Sequence, residues 1–197
     1  MAVQLASTDE ALFVAINGLV GQSHLVDEIV TLIVSDYLVP AGLGLLLLAM
    51  WFIGKSQNIR EEYQIGVFVC LTSMALSNLA VLVINIFYSR ARPFIDHDVN
   101  LLFYEPTDPS FPSNSIAATC GIAMGIWGVN RRLSIMPLIL VGFYGLARIY
   151  AGIHYPLDII GGAAIAALVT FFVFKLSKLV RPLLTGVLRI GRILCLA

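Results

Sequence analysis

The chain has 197 residues, of which 59% are hydrophobic and only 12% are charged, and its formal net charge is zero. Soluble domains are typically about 45–50% apolar and about 25% charged. This composition therefore excludes an ordinary soluble domain and requires a bilayer as solvent. The length suits one domain, so we expect residues 1–197 to form a single all-α, polytopic membrane bundle of five to six transmembrane helices.

The N-terminal region, residues 1–36, is the hardest part to assign. Residues 11–20 are apolar but short, and residues 25–34 are interrupted by two acidic side chains. We expect either a bent first helix or an interfacial amphipathic helix. The first 23 residues carry no Lys or Arg, so we expect no removable signal peptide, which needs a basic start.

Five later stretches meet or approach the roughly 20 apolar residues that a membrane span needs. They are Val39 to Gly54 with its flanks, Tyr63 to Tyr88, Ser115 to Val129, Leu133 to Tyr150 and Pro156 to Leu176. We expect a catalytic helix bundle over residues 37–180 and a basic cytoplasmic tail over residues 181–197. Cys70, Cys120 and Cys195 form no CxxC pair, and we expect them to be small apolar core residues.

The basic residues indicate how the spans are oriented. If the spans alternate in direction, nine lie on one side: Lys55, Arg60, Arg131, Arg132, Lys175, Lys178, Arg181, Arg189 and Arg192. The other three, Arg90, Arg92 and Arg148, lie on the opposite side. The positive-inside rule makes the first side cytoplasmic. We therefore expect Ser89–Asn114 and Ala151–Tyr155 to face outward.

Polar residues gathered at one face of an apolar membrane protein indicate a functional site. The first group is Arg90-Ala91-Arg92-Pro93, which could also be two arginines extending from a helix end to the interface. The second is Phe111-Pro112-Ser113-Asn114-Ser115, which opens an apolar run. This second group could be a helix N-cap or, through free backbone N–H groups and the helix dipole, an anion site.

The third group is Arg148-x5-His154-x3-Asp158. Pro156 suits the first turn of a helix, which would place Asp158 in that turn and His154 just before it. A carboxylate close to an imidazole holds one tautomer and stabilises the cation. Since the guanidinium fork of arginine matches phosphate oxygens, the three groups together predict a phosphate pocket that contains a nucleophile.

These residues resemble the type 2 phosphatidic acid phosphatase superfamily, whose motifs are Lys-x6-Arg-Pro, Pro-Ser-Gly-His and Ser-Arg-x5-His-x3-Asp. The third motif matches at Arg148, His154 and Asp158, with Ala147 for the leading Ser. The first two motifs match in part. Arg92, Pro93, Pro112 and Ser113 are present, whereas Asn85 replaces Lys, Asn114 replaces Gly and Ser115 replaces His.

Within the superfamily, bacterial undecaprenyl-diphosphate phosphatases are the most similar, over roughly residues 12 to 185. The likeness runs through Asn17-Gly18, Arg92-Pro93-Phe94, His97, Asp108-x-Ser110-Phe111-Pro112-Ser113 and His154-Tyr155-Pro156-x-Asp158. It implies an isoprenoid diphosphate substrate and a multi-pass protein of the bacterial cytoplasmic (inner) membrane, whose partners are lipids. It implies no cofactor, metal or nucleic acid, and it leaves the oligomeric state open.

The resemblance also implies a role for each site residue. His154 would attack phosphorus and become a phosphohistidine, and Asp158 would orient it. The side chains expected to hold the phosphate are Arg90, Arg92, Arg148 and Ser113, together with backbone N–H groups near Asn114. Asn85 is a possible accessory residue.

Ser115 stands where the superfamily has the histidine that protonates the leaving group. Serine cannot supply that proton, but a lipid monophosphate, with a second pKa of about 6, leaves without much protonation. The substitution therefore favours a diphosphate substrate. His97, Asp98 or Glu105 could supply an acid instead. Two alternatives stay open: a phosphatase for phosphatidic acid or phosphatidylglycerol phosphate, and an inactive protein that binds or transports lipid phosphates.

Overall fold

The computed structural model describes the backbone of residues 2–193 and the side chains of residues 7–192. Within that part of the chain the regular secondary structure is entirely helical. The helices are α1 (Ala2–Asn17), α2 (His24–Val34), α3 (Leu38–Phe52), α4 (Gln57–Phe87), α5 (Pro93–Asp96), α6 (Asn114–Val129), α7 (Arg131–Tyr150) and α8 (Pro156–Ile193). The predicted all-α class is confirmed.

Three helices, α4, α7 and α8, are long and apolar enough to cross a membrane by length and composition. The pair α2 and α3 also passes when taken together, as a span bent by 51° at its break, and α6 is apolar but shorter. The N-terminal region thus forms two helices, the second of which continues into the first expected span through a bend. The count of five to six spans stays a prediction.

The expected tail begins as a continuation of α8. Arg192 lies 3.2 Å from Glu61 of α4, and the Thr185 hydroxyl donates to the same carboxylate at 2.7 Å. These contacts hold the start of α4 and the end of α8 together. Residues 194–197, including Cys195, lie outside the described part of the chain.

The core is built around α4, α6 and α8, which pack against one another most extensively. Cys70 and Cys120 are buried in it with apolar neighbours, which confirms their expected place. Two close approaches need glycine. A Cβ at Gly125 would lie 2.7 Å from the Cys70 sulfur, and one at Gly162 would lie 2.5 Å from the Ser113 carbonyl oxygen.

The two ends of the bundle differ in chemistry. At one end, Asn130 caps α7 by accepting from the Arg132 and Leu133 N–H groups, close to the start of α4. At the other end, Pro156 opens α8, and Gly152 makes the preceding turn with a φ of 85°. The second end brings together the three polar groups that the sequence singles out.

Candidate active site

Backbone hydrogen bonds join the three polar groups. The Ser110 N–H donates to the Arg90 carbonyl at 2.9 Å, and the Ser113 N–H donates to the Asp158 carbonyl at 3.0 Å. The turn between α7 and α8 closes with the Ile153 N–H on the Arg148 carbonyl at 3.2 Å. The loop before α6 is therefore bound to both the end of α4 and the start of α8.

His154 and Asp158 form a buried pair. The imidazole Nδ1 lies 3.6 Å from Asp158 Oδ2 and 3.5 Å from the Ser110 hydroxyl. The same carboxylate oxygen accepts from the Ser110 hydroxyl at 2.5 Å and from the Tyr155 N–H at 2.8 Å. Because the acceptor lies on the Nδ1 side, the tautomer with its proton on Nδ1 is favoured, and the Nε2 lone pair is left on the other side of the ring.

The Nε2 side of His154 faces cationic and hydroxyl groups. Arg92 Nη1 and the Ser113 hydroxyl each lie 3.3 Å from Nε2. The Arg92 guanidinium is 3% exposed and is fixed by the Ile153 carbonyl and by Asp108, each at 2.9 Å. A phosphoryl group next to Nε2 would therefore meet a guanidinium whose orientation is already set.

Burial lowers the pKa of His154 to about 4, and the nearby positive charges of Arg148 and Arg92 act in the same direction. The hydrogen bond and charge of Asp158 oppose this shift. At neutral pH the imidazole is therefore neutral, and its free Nε2 lone pair can act as a nucleophile.

The start of α6 bears on the two interpretations of the Ser113 segment. Ser113 occupies the N-cap position, yet its side chain makes no capping hydrogen bond. The hydroxyl faces His154 Nε2 instead. The first backbone N–H groups of α6 and its dipole are consequently left for an anion. Asn114, the first residue of α6, is exposed beside them.

Arg148 has partners on one side and an unfilled donor on the other. Its Nη1 donates to the Tyr144 hydroxyl at 2.6 Å and to Asp36 Oδ1 at 3.2 Å. Its Nε is buried and has no hydrogen-bond partner among the described residues. A buried N–H without an acceptor is costly, so this donor is available to an oxygen of a bound anion.

Ser115 and Asn85, at two of the replaced motif positions, lie at the edge of the site. Ser115 is half-buried, and its side chain lies near the Tyr144 hydroxyl. Asn85 lines a cavity of about 440 Å³ together with Asp108 and Asn114. Its amide oxygen is buried and unpaired within the described structure.

Two candidate site residues, His97 and Arg90, have protein partners in the structure. The His97 ring packs against Phe13 and Tyr155, with ring centroids 6.2 Å apart in each case. Arg90, which is expected among the phosphate-binding side chains, donates to Asp158 Oδ1 at 2.9 Å. Its other nitrogen donates to Asp9 at 2.7 Å, so this guanidinium is occupied by two carboxylates.

The structure also adds residues to which the sequence assigned no role. Ser110 holds Asp158, Tyr144 and Asp36 hold Arg148, and Asp9 holds Arg90. Ser110 belongs to a stretch already noted for its resemblance. For Asp9 the only available signal was an acidic side chain in a mostly apolar segment.

Comparison with known proteins agrees with the family resemblance seen in the sequence. The model of the PAP2 superfamily matches residues 66–181. The chain is 33% identical over 180 residues to undecaprenyl-diphosphatase BcrC of Bacillus subtilis (strain 168), covering 91% of this chain and 89% of that protein.

The chain belongs to the PAP2 superfamily.

Other similar proteins differ in what their names state. The bacitracin transport permease protein BcrC of Bacillus licheniformis is 27% identical over 133 residues, covering 67% of this chain and 63% of that protein. The structure of Aquifex aeolicus LpxE matches with a TM-score of 0.63 at 27% identity, covering 84% of this chain and 93% of that one. The first transmembrane PAP2 type phosphatidylglycerolphosphate phosphatase from Bacillus subtilis matches in fold, with a TM-score of 0.66 at 21% identity, covering 89% and 87%. The superfamily and its membrane helices support a multi-pass lipid phosphatase.

Proposed function

We propose that this membrane phosphatase hydrolyses a polyprenyl diphosphate, undecaprenyl diphosphate, to the monophosphate without a metal ion. The product would be carrier lipid recycled for cell-wall synthesis. One observation carries the proposal: a buried, unprotonated His154 turns Nε2 toward Arg92 and Ser113, at 3.3 Å from each. The undecaprenyl-diphosphatase relative supports the choice of substrate.

In the proposed first step, the Nε2 lone pair attacks the terminal phosphorus. A P–N bond forms as the bond from that phosphorus to the bridging oxygen breaks, and the lipid monophosphate leaves with the electron pair. Arg92, Arg148 and the start of α6 would stabilise the oxygens of the transferring group, because they are fixed before the reaction. The positive charge that develops on the imidazole is stabilised by Asp158 at Nδ1.

In the second step, water attacks the phosphohistidine, the P–N bond breaks, and inorganic phosphate leaves. The imidazole returns to its neutral form, with its Nδ1–H still directed at Asp158. The net reaction consumes one water and one diphosphate. It yields one lipid monophosphate and one phosphate.

The leaving group supports a diphosphate over a monoester. An alkoxide leaving group needs a proton, and general acid catalysis is typically worth about 10²–10⁴-fold. Ser115 stands at the position of the superfamily's histidine acid, and a serine hydroxyl cannot supply a proton near neutral pH. A lipid monophosphate, by contrast, departs with little protonation.

The alternative without catalysis, binding or transport of a lipid phosphate, is favoured by the transport name of one relative and by the replaced motif residues Asn85 and Ser115. The fixed pair of His154 and Asp158 favours catalysis.

One measurement separates these functions. Phosphate release from purified protein is followed with C55 diphosphate and with phosphatidic acid, in the presence of a chelator. We expect release from the diphosphate and much less from the monoester. Release from the monoester alone would reassign the substrate. Activity that requires an added metal ion would contradict the proposed metal-independent reaction. Binding without release would favour a transport role.

We further propose that the active site faces outward from a bacterial cytoplasmic membrane. The supporting observation is the position of the basic residues. Those that follow α6, and those that follow the membrane-crossing part of α8, lie at the end of the bundle opposite the site.

A further inference from the structure

Asp9 is a buried carboxylate of α1 that lies before the residues matched by the superfamily model. Its side chain is 1% exposed. Burying a charge is costly unless the charge is paired and hydrogen-bonded, and both of its oxygens are used. Oδ2 accepts from Arg90 at 2.7 Å, and Oδ1 accepts from the Leu157 backbone N–H at 2.8 Å.

The contact with Leu157 fixes the start of α8. Leu157 lies in the first turn of that helix, where backbone N–H groups have no partner within the helix. A carboxylate at this position satisfies the donor and is favoured by the helix dipole. Asp158 is the next residue, so a carboxylate from α1 holds the backbone that carries it.

The contact with Arg90 fixes the side chain of Asp158. Arg90 joins Asp9 to Asp158 Oδ1, and its guanidinium stacks 3.9 Å from the centre of the Tyr155 ring. The other oxygen of Asp158 is held by Ser110 and by the Tyr155 N–H, close to His154 Nδ1. Each oxygen of Asp158 therefore has a fixed partner.

Asp9 also sets the charge behind His154. Two carboxylates and one guanidinium give this group a net charge of −1. Without Asp9, the whole charge of Arg90 would fall on Asp158, and the group would be neutral. A neutral group stabilises less of the positive charge that His154 acquires when Nε2 bonds to phosphorus.

We propose that Asp9 is a positioning residue of the phosphatase reaction, acting through Arg90 and the Leu157 N–H to hold Asp158 behind His154. This inference rests on the proposed function, and it makes α1 part of the active site.

The test compares Asp9→Asn with Asp27→Asn. Asn keeps the size of Asp9 and one acceptor oxygen but removes the charge. Asp27 is the matched control, because it is also a carboxylate of the N-terminal helices that contacts α7, through the Tyr150 hydroxyl at 2.7 Å. We expect Asp9→Asn to lower kcat by up to about 10²-fold, the effect of a small misplacement of reacting groups, with KM unchanged. Asp27→Asn should keep the wild-type kcat.

A double-mutant cycle adds a second readout. Arg90→Gln and Asp9→Asn should together cost less than the product of their separate losses, since both variants disrupt the Arg90–Asp9 contact. If Asp9→Asn does not fold, Asp9→Glu replaces it; the extra methylene displaces the carboxylate, and kcat should again fall at constant KM.

Four results would overturn the inference: wild-type kcat in a folded Asp9 variant, an equal loss in Asp27→Asn, a rise in KM alone, or fully multiplicative losses in the cycle. If the wild type hydrolyses only a monoester, the proposed substrate fails, and the same variants compared on that monoester still test Asp9. If the wild type hydrolyses neither lipid, both proposals fail.

Discussion

Arg148 and Tyr144 lie one turn apart on α7, and the guanidinium donates to the tyrosine hydroxyl at 2.6 Å. The Ser115 side chain on α6 lies close enough to the same hydroxyl to interact with it. Tyr144 is fully buried, so its hydroxyl has no water to replace these partners. It thus joins an arginine predicted to bind phosphate to the residue that replaces the superfamily's proton donor.

Replacing Tyr144 with Phe should lower kcat/KM by about 10-fold or more. Hydrogen bonds to charged groups are typically worth about 1.5–3 kcal/mol, and Arg148 would lose one. The control is Tyr150→Phe on the same helix, whose hydroxyl contacts Asp27 and the Leu19 carbonyl, away from His154. Equal kinetics for the two variants would show that Tyr144 does not support the site.

His154→Ala should abolish turnover and leave the helical fold intact, because the nucleophile is lost from a turn. Asp158→Asn should lose less, since the nucleophile remains. His24→Ala, which changes an exposed histidine on α2, should match the wild type. Initial rates with C55 diphosphate and circular dichroism of each variant provide the check. More than a few per cent of activity in His154→Ala would remove it from the nucleophile role.

Ser115→His should increase hydrolysis of a phosphate monoester lipid much more than hydrolysis of polyprenyl diphosphate. Restoring a proton donor helps only where the leaving group needs one, and up to about 10²–10⁴-fold is available. The measurement is kcat/KM of wild type and variant on both substrates at one pH. Equal gains on both would mean that the diphosphate also needs the acid.

The low pKa of His154 predicts how stability changes with pH. The folded-state pKa is about 4, below the ordinary 6.5. Between these values the unfolded chain binds a proton that the folded chain does not, so stability decreases as pH falls from 6.5 to about 4. The slope from this group approaches about 1.4 kcal/mol per pH unit. Thermal unfolding in detergent should show a shallower decrease for His154→Gln, and an unchanged slope would contradict the assignment.

Sidedness can be tested with single cysteines at Asp96 and Arg131, which are exposed at opposite ends of the bundle. A membrane-impermeant thiol reagent added to intact cells should label the first and not the second. The opposite pattern would place the site in the cytoplasm.

Much of this site follows from local sequence. The spacing of His154, Pro156 and Asp158 places an imidazole and a carboxylate at the start of one helix, and Ser113 begins an earlier apolar run. Such local patterns also predicted the ends of α6 and α7 within about two residues. Such patterns describe only residues that are close to one another along the chain.

Most of the contacts that sequence reasoning missed are long-range. Asp9 meets Leu157 across 148 positions of the chain, and Asp36 meets Arg148 across 112. No periodicity encodes such a pairing. Arg90 shows the same limit of local sequence. Its position near Arg92 suggests a shared ligand, whereas in the tertiary fold it contacts two buried carboxylates.

The approach of Gly162 to the Ser113 carbonyl bears on how far this site can diverge in evolution. With no Cβ between them, α8 meets the start of α6 through backbone atoms, and the Ser113 N–H donates to the Asp158 carbonyl at 3.0 Å. The spacing between nucleophile and helix end is consequently independent of the side chains that follow Ser113. The residues at 114 and 115 could therefore be exchanged, which would alter the leaving groups that are accepted, while these backbone contacts are kept.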